Sequence, residues 1–179
     1  VIRFIMKFCS KCGNSIKFET PKDDNQPRFI CSQCDFIHYE NPNIVVGCVP
    51  IYKDQVLLCL RAIEPRKNYW TLPAGFLENK EGLKDGAARE TEEEALIKPI
   101  IGPLIAVVDV IHAHQVHVFF RAHLENLEFG PGKESLDVRM FKLSEIPWGQ
   151  MAFKTGKIAL KAQINKADDD FTPEYQTLP

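Results

Sequence analysis

Between Gly75 and Ile97 the chain reads GFLENKEGLKDGAARETEEEALI, a run dense in carboxylates with apolar residues threaded between them. This run constrains the fold more than any other segment. The spacing predicts a helix from Leu83 to Leu96; at about 100° per residue, Glu93 and Glu94 then lie one turn beyond Glu90 and within about 60° of its direction. Three carboxylates share a face. Hard divalent cations such as Mg²⁺ and Mn²⁺ take oxygen ligands, keep several waters, and are commonly shared between one or two carboxylates and a substrate's phosphates. The plain alternative is a solvated acidic helix face.

The order of the residues favours the metal reading. From Gly75 there are five residues to Glu81, seven to Arg89-Glu90 and two to Glu93-Glu94. This resembles the box of the Nudix hydrolases, G-x5-E-x7-R-E-U-x-E-E-x-G-U with U aliphatic. Two positions depart from it. Thr91 stands at an aliphatic position, where its methyl can still pack, and Leu96 replaces the glycine near the helix end. A leucine there is expected to resist a left-handed backbone and so to alter the turn that leaves the helix.

Upstream, Cys9-Ser-Lys-Cys12-Gly13 and Cys31-Ser-Gln-Cys34 form two Cys-x-x-Cys knuckles, a spacing that holds tetrahedral Zn²⁺ through two thiolates from each. Residues 8–40 are therefore expected to be a zinc ribbon. Redox pairs are the competing reading, and His38 is a spare ligand candidate. Gly13 suits a tight turn after the first knuckle, and the polar loop between the knuckles, broken by Pro21 and Pro27, reads as a hairpin with an exposed tip.

The 179 residues are 45% hydrophobic and 26% charged, a globular composition, and no apolar run approaches membrane-spanning length. A soluble cytoplasmic protein is the default. The formal net charge of −2 offers no electrostatic footprint for nucleic acid, which is not expected as a partner. Residues 1–5 precede Met6, the expected natural start.

Residues 41–166 are expected to be the catalytic domain and 167–179 a tail, either mobile or laid across a neighbour. Asn43–Ile51 and Gln55–Arg61 read as a hairpin around Lys53-Asp54, with Cys48 and Cys59 as buried small hydrophobes. Arg61 ends its strand where it could meet a substrate phosphate or simply face solvent. Tyr69, Trp70 and Phe76 are candidates for stacking on a base, with Trp70 equally suited to core packing. Leu104–Asp109 and Val116–Leu124 form a second hairpin whose His112, His114 and His117 are read as polar edge positions rather than a metal site. The loop EFGPGKESLD, residues 128–137, holds carboxylates between strand-like segments; Val138–Leu143 follows as a strand and Lys154–Ala167 as a helix.

The resemblance covers most of the chain, through the four-cysteine ribbon, YENPNIVVGCV, YWTLPAGFLENKEG and PGKESLDVRMFKLSEIP. It implies an α/β fold, a Nudix α/β/α sandwich with a small N-terminal zinc ribbon, closest to ADP-ribose/FAD pyrophosphatases. It further implies Mg²⁺ or Mn²⁺ held by Glu90, Glu93, Glu94 and the backbone at Ala74 or Gly75, with Arg89 orienting the glutamates and Glu81 supporting it. Glu134, and after it Asp137, is the expected base. The substrate would be a small nucleotide. The SQPWPFPxS motif of NADH pyrophosphatases is absent after the box. NADH or NAD-capped RNA hydrolysis, a non-catalytic nucleotide-binding regulator and a homodimer stay open as alternatives.

Overall fold

The computed structural model of the chain describes residues 6–165 and 172–179. The expected start at Met6, so far as it concerns residues 1–5, and the continuation of the last helix to Ala167 lie outside the described residues. Backbone contacts divide the chain into two compact units, 1–42 and 43–179.

In the first unit, β1 (Ile16–Glu19), β2 (Arg28–Cys31) and β3 (Ile37–His38) make an antiparallel sheet in the order β1-β2-β3. Both knuckles turn the same way. Gly13 follows Cys12 at φ 74° and Asp35 follows Cys34 at φ 54°, so aspartate occupies in the second knuckle the left-handed position that glycine fills in the first. Amides of Lys11 and Gln33 donate to the Cys9 and Cys31 sulfurs, each at 3.4 Å.

The second unit is a mixed sheet between two helices. Its strands are β4 (Asn43–Tyr52), β5 (Gln55–Arg61), β6 (Trp70–Thr71), β7 (Ala74–Phe76), β8 (Ile100–Val110), β9 (Gln115–His123), β10 (Ser135–Lys142) and β11 (Glu174–Leu178). Along the main path the order is β10-β5-β4-β9-β8-β11, with β6 on β5 and β7 on β4. The central β4 runs parallel to β9 and is buried from Val45 to Pro50, as expected of a strand covered on both faces.

Alternation along the strands decides which helix each residue meets. Val46 and Cys48 of β4, with Val118 and Phe120 of β9, pack around Ala87 of helix α1 (Leu83–Ala95). Val49 and Phe119, one residue out of phase, join Leu58, Ile105 and Ala106 against Ala159, Leu160 and Ala162 of helix α2 (Lys154–Asn165). A third cluster sets Leu57 and Cys59 of β5 against Ala95, Ile97, Leu124 and Val138. Cys48 and Cys59 are buried, as their apolar settings suggested.

Residues 174–178, expected outside the catalytic domain as a tail, are instead an edge strand of its sheet, parallel to β8 from Glu174 opposite Ala106 to Leu178 opposite Val110. Parallel pairing gives β11 hydrogen-bond partners that no local pattern announces. The histidines do not converge. The Pro179 carbonyl accepts from His112 Nδ1 at 2.8 Å, and His117 Nε2 meets Gln115 Oε1 at 2.8 Å.

Candidate active site

Helix α1 is positioned by the small residues on its inner face. Gly86, Ala87, Thr91 and Ala95 are buried and bring the helix axis close to β4. Thr91 does more than pack a methyl group: its hydroxyl donates to the Ala87 carbonyl at 2.8 Å and lies 3.1 Å from the Cys48 sulfur. The first turn is closed by Asp85, whose Oδ2 accepts the Gly82 amide at 3.3 Å.

On the side of α1 that faces β7, Arg89 organises the carboxylates. Its Nε and Nη2 make a two-pronged contact with Glu81 at 3.0 and 2.9 Å, and its Nη1 donates to Glu90 at 2.8 Å and Glu93 at 3.0 Å. Nη2 also reaches the Phe76 carbonyl at 3.0 Å. One guanidinium thus ties three glutamates to the strand that precedes the helix, through charge-assisted bonds whose planar fork a lysine could not reproduce. The Glu81 carboxyl is held below its usual range by Arg89 and by the Glu78 amide, while Arg89 itself is pushed further up by Glu81 and Glu90.

Glu90 and Glu94 are pushed the other way. Burial raises Glu90 despite Arg89, with Glu93 and Glu134 adding like charge. Glu94 is pushed up to about 8, first by burial, with the charges of Glu90 and Glu134 adding to it; the Ala74 amide, 3.3 Å from Oε2, and Arg61 oppose the shift. A buried carboxylate among other carboxylates is costly unless a cation joins it. Gly75 leaves the room this requires, since a Cβ there would fall on the Glu90 carboxylate.

These groups line a cavity of 780 Å³, which also receives Arg61, Phe76, Lys133 and Glu134. Glu134 arrives on a loop that is fastened at both sides. The Gly130 and Gly132 amides donate to the Ala95 and Glu94 carbonyls, each at 3.0 Å, and the Glu134 carbonyl accepts from Ala62 at 2.8 Å. The loop backbone therefore caps the C-terminus of α1, satisfying carbonyls that would otherwise have no partner. Gly132 is obligatory there, because a Cβ would overlap the Glu93 carbonyl. This cap joins residues nearly forty positions apart, and no spacing in the sequence signalled it.

Leu96 corrects the sequence expectation. It adopts the left-handed conformation, φ 53° and ψ 30°, and its amide donates to the Glu92 carbonyl at 3.0 Å, so the helix ends as it would with glycine. Trp70 is a second correction. At 7% exposed it belongs to the core, edge-on to Phe141 with ring centroids 4.8 Å apart, and cannot stack on a base. Tyr69 lies outside the cavity lining, with Arg66 5.6 Å above its ring, leaving Phe76, 54% exposed, as the aromatic residue of the three that faces the cavity. Arg61 lines the cavity, its Nε on the Pro65 carbonyl at 2.9 Å and its guanidinium 5.1 Å from the Phe153 ring. Asp137 does not line it and pairs with Arg139 at 2.6 Å.

Among the described residues, only Cys9, Cys12, Cys31 and Cys34 bring three or more ligand atoms within 4.8 Å of one another. Four thiols at that spacing suit tetrahedral zinc, and His38 is not part of the group. Two of the thiols are pushed opposite ways: Cys12 is lowered to about 6, chiefly by hydrogen bonds from Asn14, while at Cys34 the Phe36 backbone hydrogen bond is outweighed by bonds among the thiols and by burial, which raise it to about 12. The glutamates are spread around the cavity instead, as suits an ion that keeps waters and shares a substrate's phosphates.

Profile comparison matches the NUDIX domain to residues 41–162 and the Nudix N-terminal zinc ribbon to residues 7–40. The chain belongs to the Nudix hydrolase family. A NUDIX hydrolase from Nitrosomonas europaea, known as a crystal structure, is 45% identical with a TM-score of 0.92 over 97% of this chain and 99% of that one. The NAD-capped RNA hydrolase NudC of Photobacterium profundum is 30% identical over 143 residues, 78% of this chain and 51% of that protein. The ADP-ribose pyrophosphatase of Methanocaldococcus jannaschii is 26% identical over 124 residues, 67% of this chain and 72% of that protein. The chain spans about a third to a half of the length of the NAD-capped RNA hydrolases it matches, 32% for the Vibrio parahaemolyticus protein. Among the described residues no helix is long and apolar enough to cross a membrane.

Proposed function

We propose that this chain is a metal-dependent pyrophosphatase that hydrolyses a nucleoside diphosphate joined to a second organic group, of the ADP-ribose or FAD type, to AMP and the other phosphate ester. The observation that carries this reading is the convergence of Glu90, Glu93 and Glu94 from one helix and Glu134 from a fastened loop on one cavity. Glu90, Glu93 and Glu94, with the carbonyl of Ala74 or Gly75, would hold Mg²⁺ or Mn²⁺. Such ions neutralise diphosphate charge and acidify water.

The chain's own groups supply the rest. Arg89, braced by Glu81, keeps Glu90 and Glu93 aimed into the cavity. Glu134 takes the proton of the attacking water as the new O–P bond forms and the anhydride P–O bond breaks, with AMP leaving. Arg61 and Lys133 are the cavity's other cations and face the diphosphate oxygens, while Phe76 offers its face to the adenine. In the ribbon, Cys9, Cys12, Cys31 and Cys34 hold a structural Zn²⁺. The ribbon at 8–40, the domain from 41 and a cytoplasmic setting complete the reading.

A second reading, NADH or NAD-capped RNA as substrate, is favoured by the 30% identity to the Photobacterium profundum enzyme. One panel separates the two: kcat/KM for ADP-ribose, FAD, NADH, NAD-capped RNA and ATP, each with Mg²⁺ and with Mn²⁺. ADP-ribose or FAD is expected to lead. NADH or NAD-capped RNA in front would establish the second reading, and no hydrolysis of any of them would leave a nucleotide-binding regulator.

A further inference from the structure

Leu96 is an expensive residue where it stands. A β-carbon in the left-handed region is strained, and the side chain is 58% exposed, with its Cδ1 beside the Gly130 backbone. Glycine would end the helix with the same Glu92 bond and no strain. Neither the local conformation nor the core therefore accounts for a leucine. The side chain borders a smaller cavity shared with Ile97, Pro99 and Ile100, and it also lines the cavity that holds the glutamates.

Its place in that cavity is at one end. Leu96 lies six residues past Glu90, about 9 Å further along the helix. Phe76 stands at the other end, where its carbonyl accepts from Arg89, the residue just before Glu90. The carboxylates lie between two exposed apolar side chains. Ile63, 40% exposed and on the segment whose Ala62 amide holds the Glu134 loop, adds a third apolar side chain to the lining. A diphosphate seated at the carboxylates would have an apolar side chain on hand for the organic group at each end.

We propose that Leu96 is a specificity-determining residue: its side chain is the apolar wall for the group beyond the diphosphate, and it favours substrates in which that group carries a flat ring over those ending in a bare sugar. A ring gains from burial against an isobutyl group, whereas a sugar loses hydrogen bonds to water there. This proposal rests on the pyrophosphatase reading. Strain kept at a cavity wall is a pattern expected when a residue serves the site.

The test uses Leu96→Gly and Leu96→Asn in the full chain. Both residues accept the left-handed backbone, so both variants fold, and asparagine retains a side chain while removing the apolar surface. For each protein kcat and KM are measured with FAD and with ADP-ribose, alongside thermal denaturation. The expected result is a rise in KM for FAD of about 5- to 10-fold with kcat within about twofold, little change for ADP-ribose, and a midpoint for Leu96→Gly at or above wild type. An unchanged FAD to ADP-ribose ratio in active variants would overturn the specificity role while leaving the pyrophosphatase reading in place. A lowered midpoint for Leu96→Gly would show that the side chain supports the fold, which also overturns it. A wild-type protein that cleaves neither compound would overturn both.

Discussion

Gly132→Ala tests the link between the Glu134 loop and the box helix. The added methyl would overlap the Glu93 carbonyl, so the loop has to retreat until the contact reaches ordinary van der Waals distance, a shift of more than about 1 Å. Both capping bonds then lengthen, Gly132 to Glu94 and Gly130 to Ala95, each 3.0 Å in the native protein. At about 1 kcal/mol each, their loss lowers stability by about 2 kcal/mol, which for a chain of this size is about 4–8 °C in the melting midpoint. The effect on turnover is expected to be larger, because a displacement of about 1 Å in a reacting group can cost about 100-fold in rate. Metal binding should change less, since Glu90, Glu93 and Glu94 stay on the helix, whereas Lys133 moves with the loop. Steady-state kinetics with ADP-ribose or FAD and Mg²⁺ should therefore show a large fall in kcat with a smaller rise in KM. A variant with a midpoint within about 1 °C of wild type and kcat within about twofold would refute both the cap and the role of Glu134.

Glu94→Gln should lower kcat at least about 100-fold, because the amide keeps the shape but loses the anionic ligand. In metal-free protein it should have the opposite effect on stability: the folded-state pKa of Glu94, about 8, lies above its unfolded value, so wild type loses stability as pH rises from about 4.5 toward 8. Thermal denaturation in chelator across that range should show the variant's advantage growing with pH, and a constant difference would contradict the shift. For the ribbon, elemental analysis of protein purified without added zinc should find one tightly held Zn²⁺ per chain, lost on Cys12→Ser; disulfides under reducing conditions in place of zinc would remove the case for a metal-stapled module.

What the sequence determined by itself is whatever lies within one helix or one knuckle. Glu90, Glu93 and Glu94 share a face because helical geometry places residues three and four apart together, and Arg89 can reach Glu93 for the same reason. The cysteine pairs are legible because a Cys-x-x-Cys turn points both sulfurs one way, and the β-branched run of β4 was enough to expect a strand from Asn43. Contacts between distant segments decided the rest. Trp70 reads equally well as a stacking residue or a core residue until Phe141 and Met151 enclose it. The residues after 171 carry no strand signal strong enough to predict β11, whose partner β8 lies more than sixty residues earlier. The left-handed Leu96 contradicts its local preference, and it is held there by the docking of the Gly130–Gly132 backbone onto the carbonyls beside it. Local propensities differ by about 1 kcal/mol or less per residue, so a few tertiary hydrogen bonds and one buried face override them, and these depend on neighbours that only the folded chain brings together.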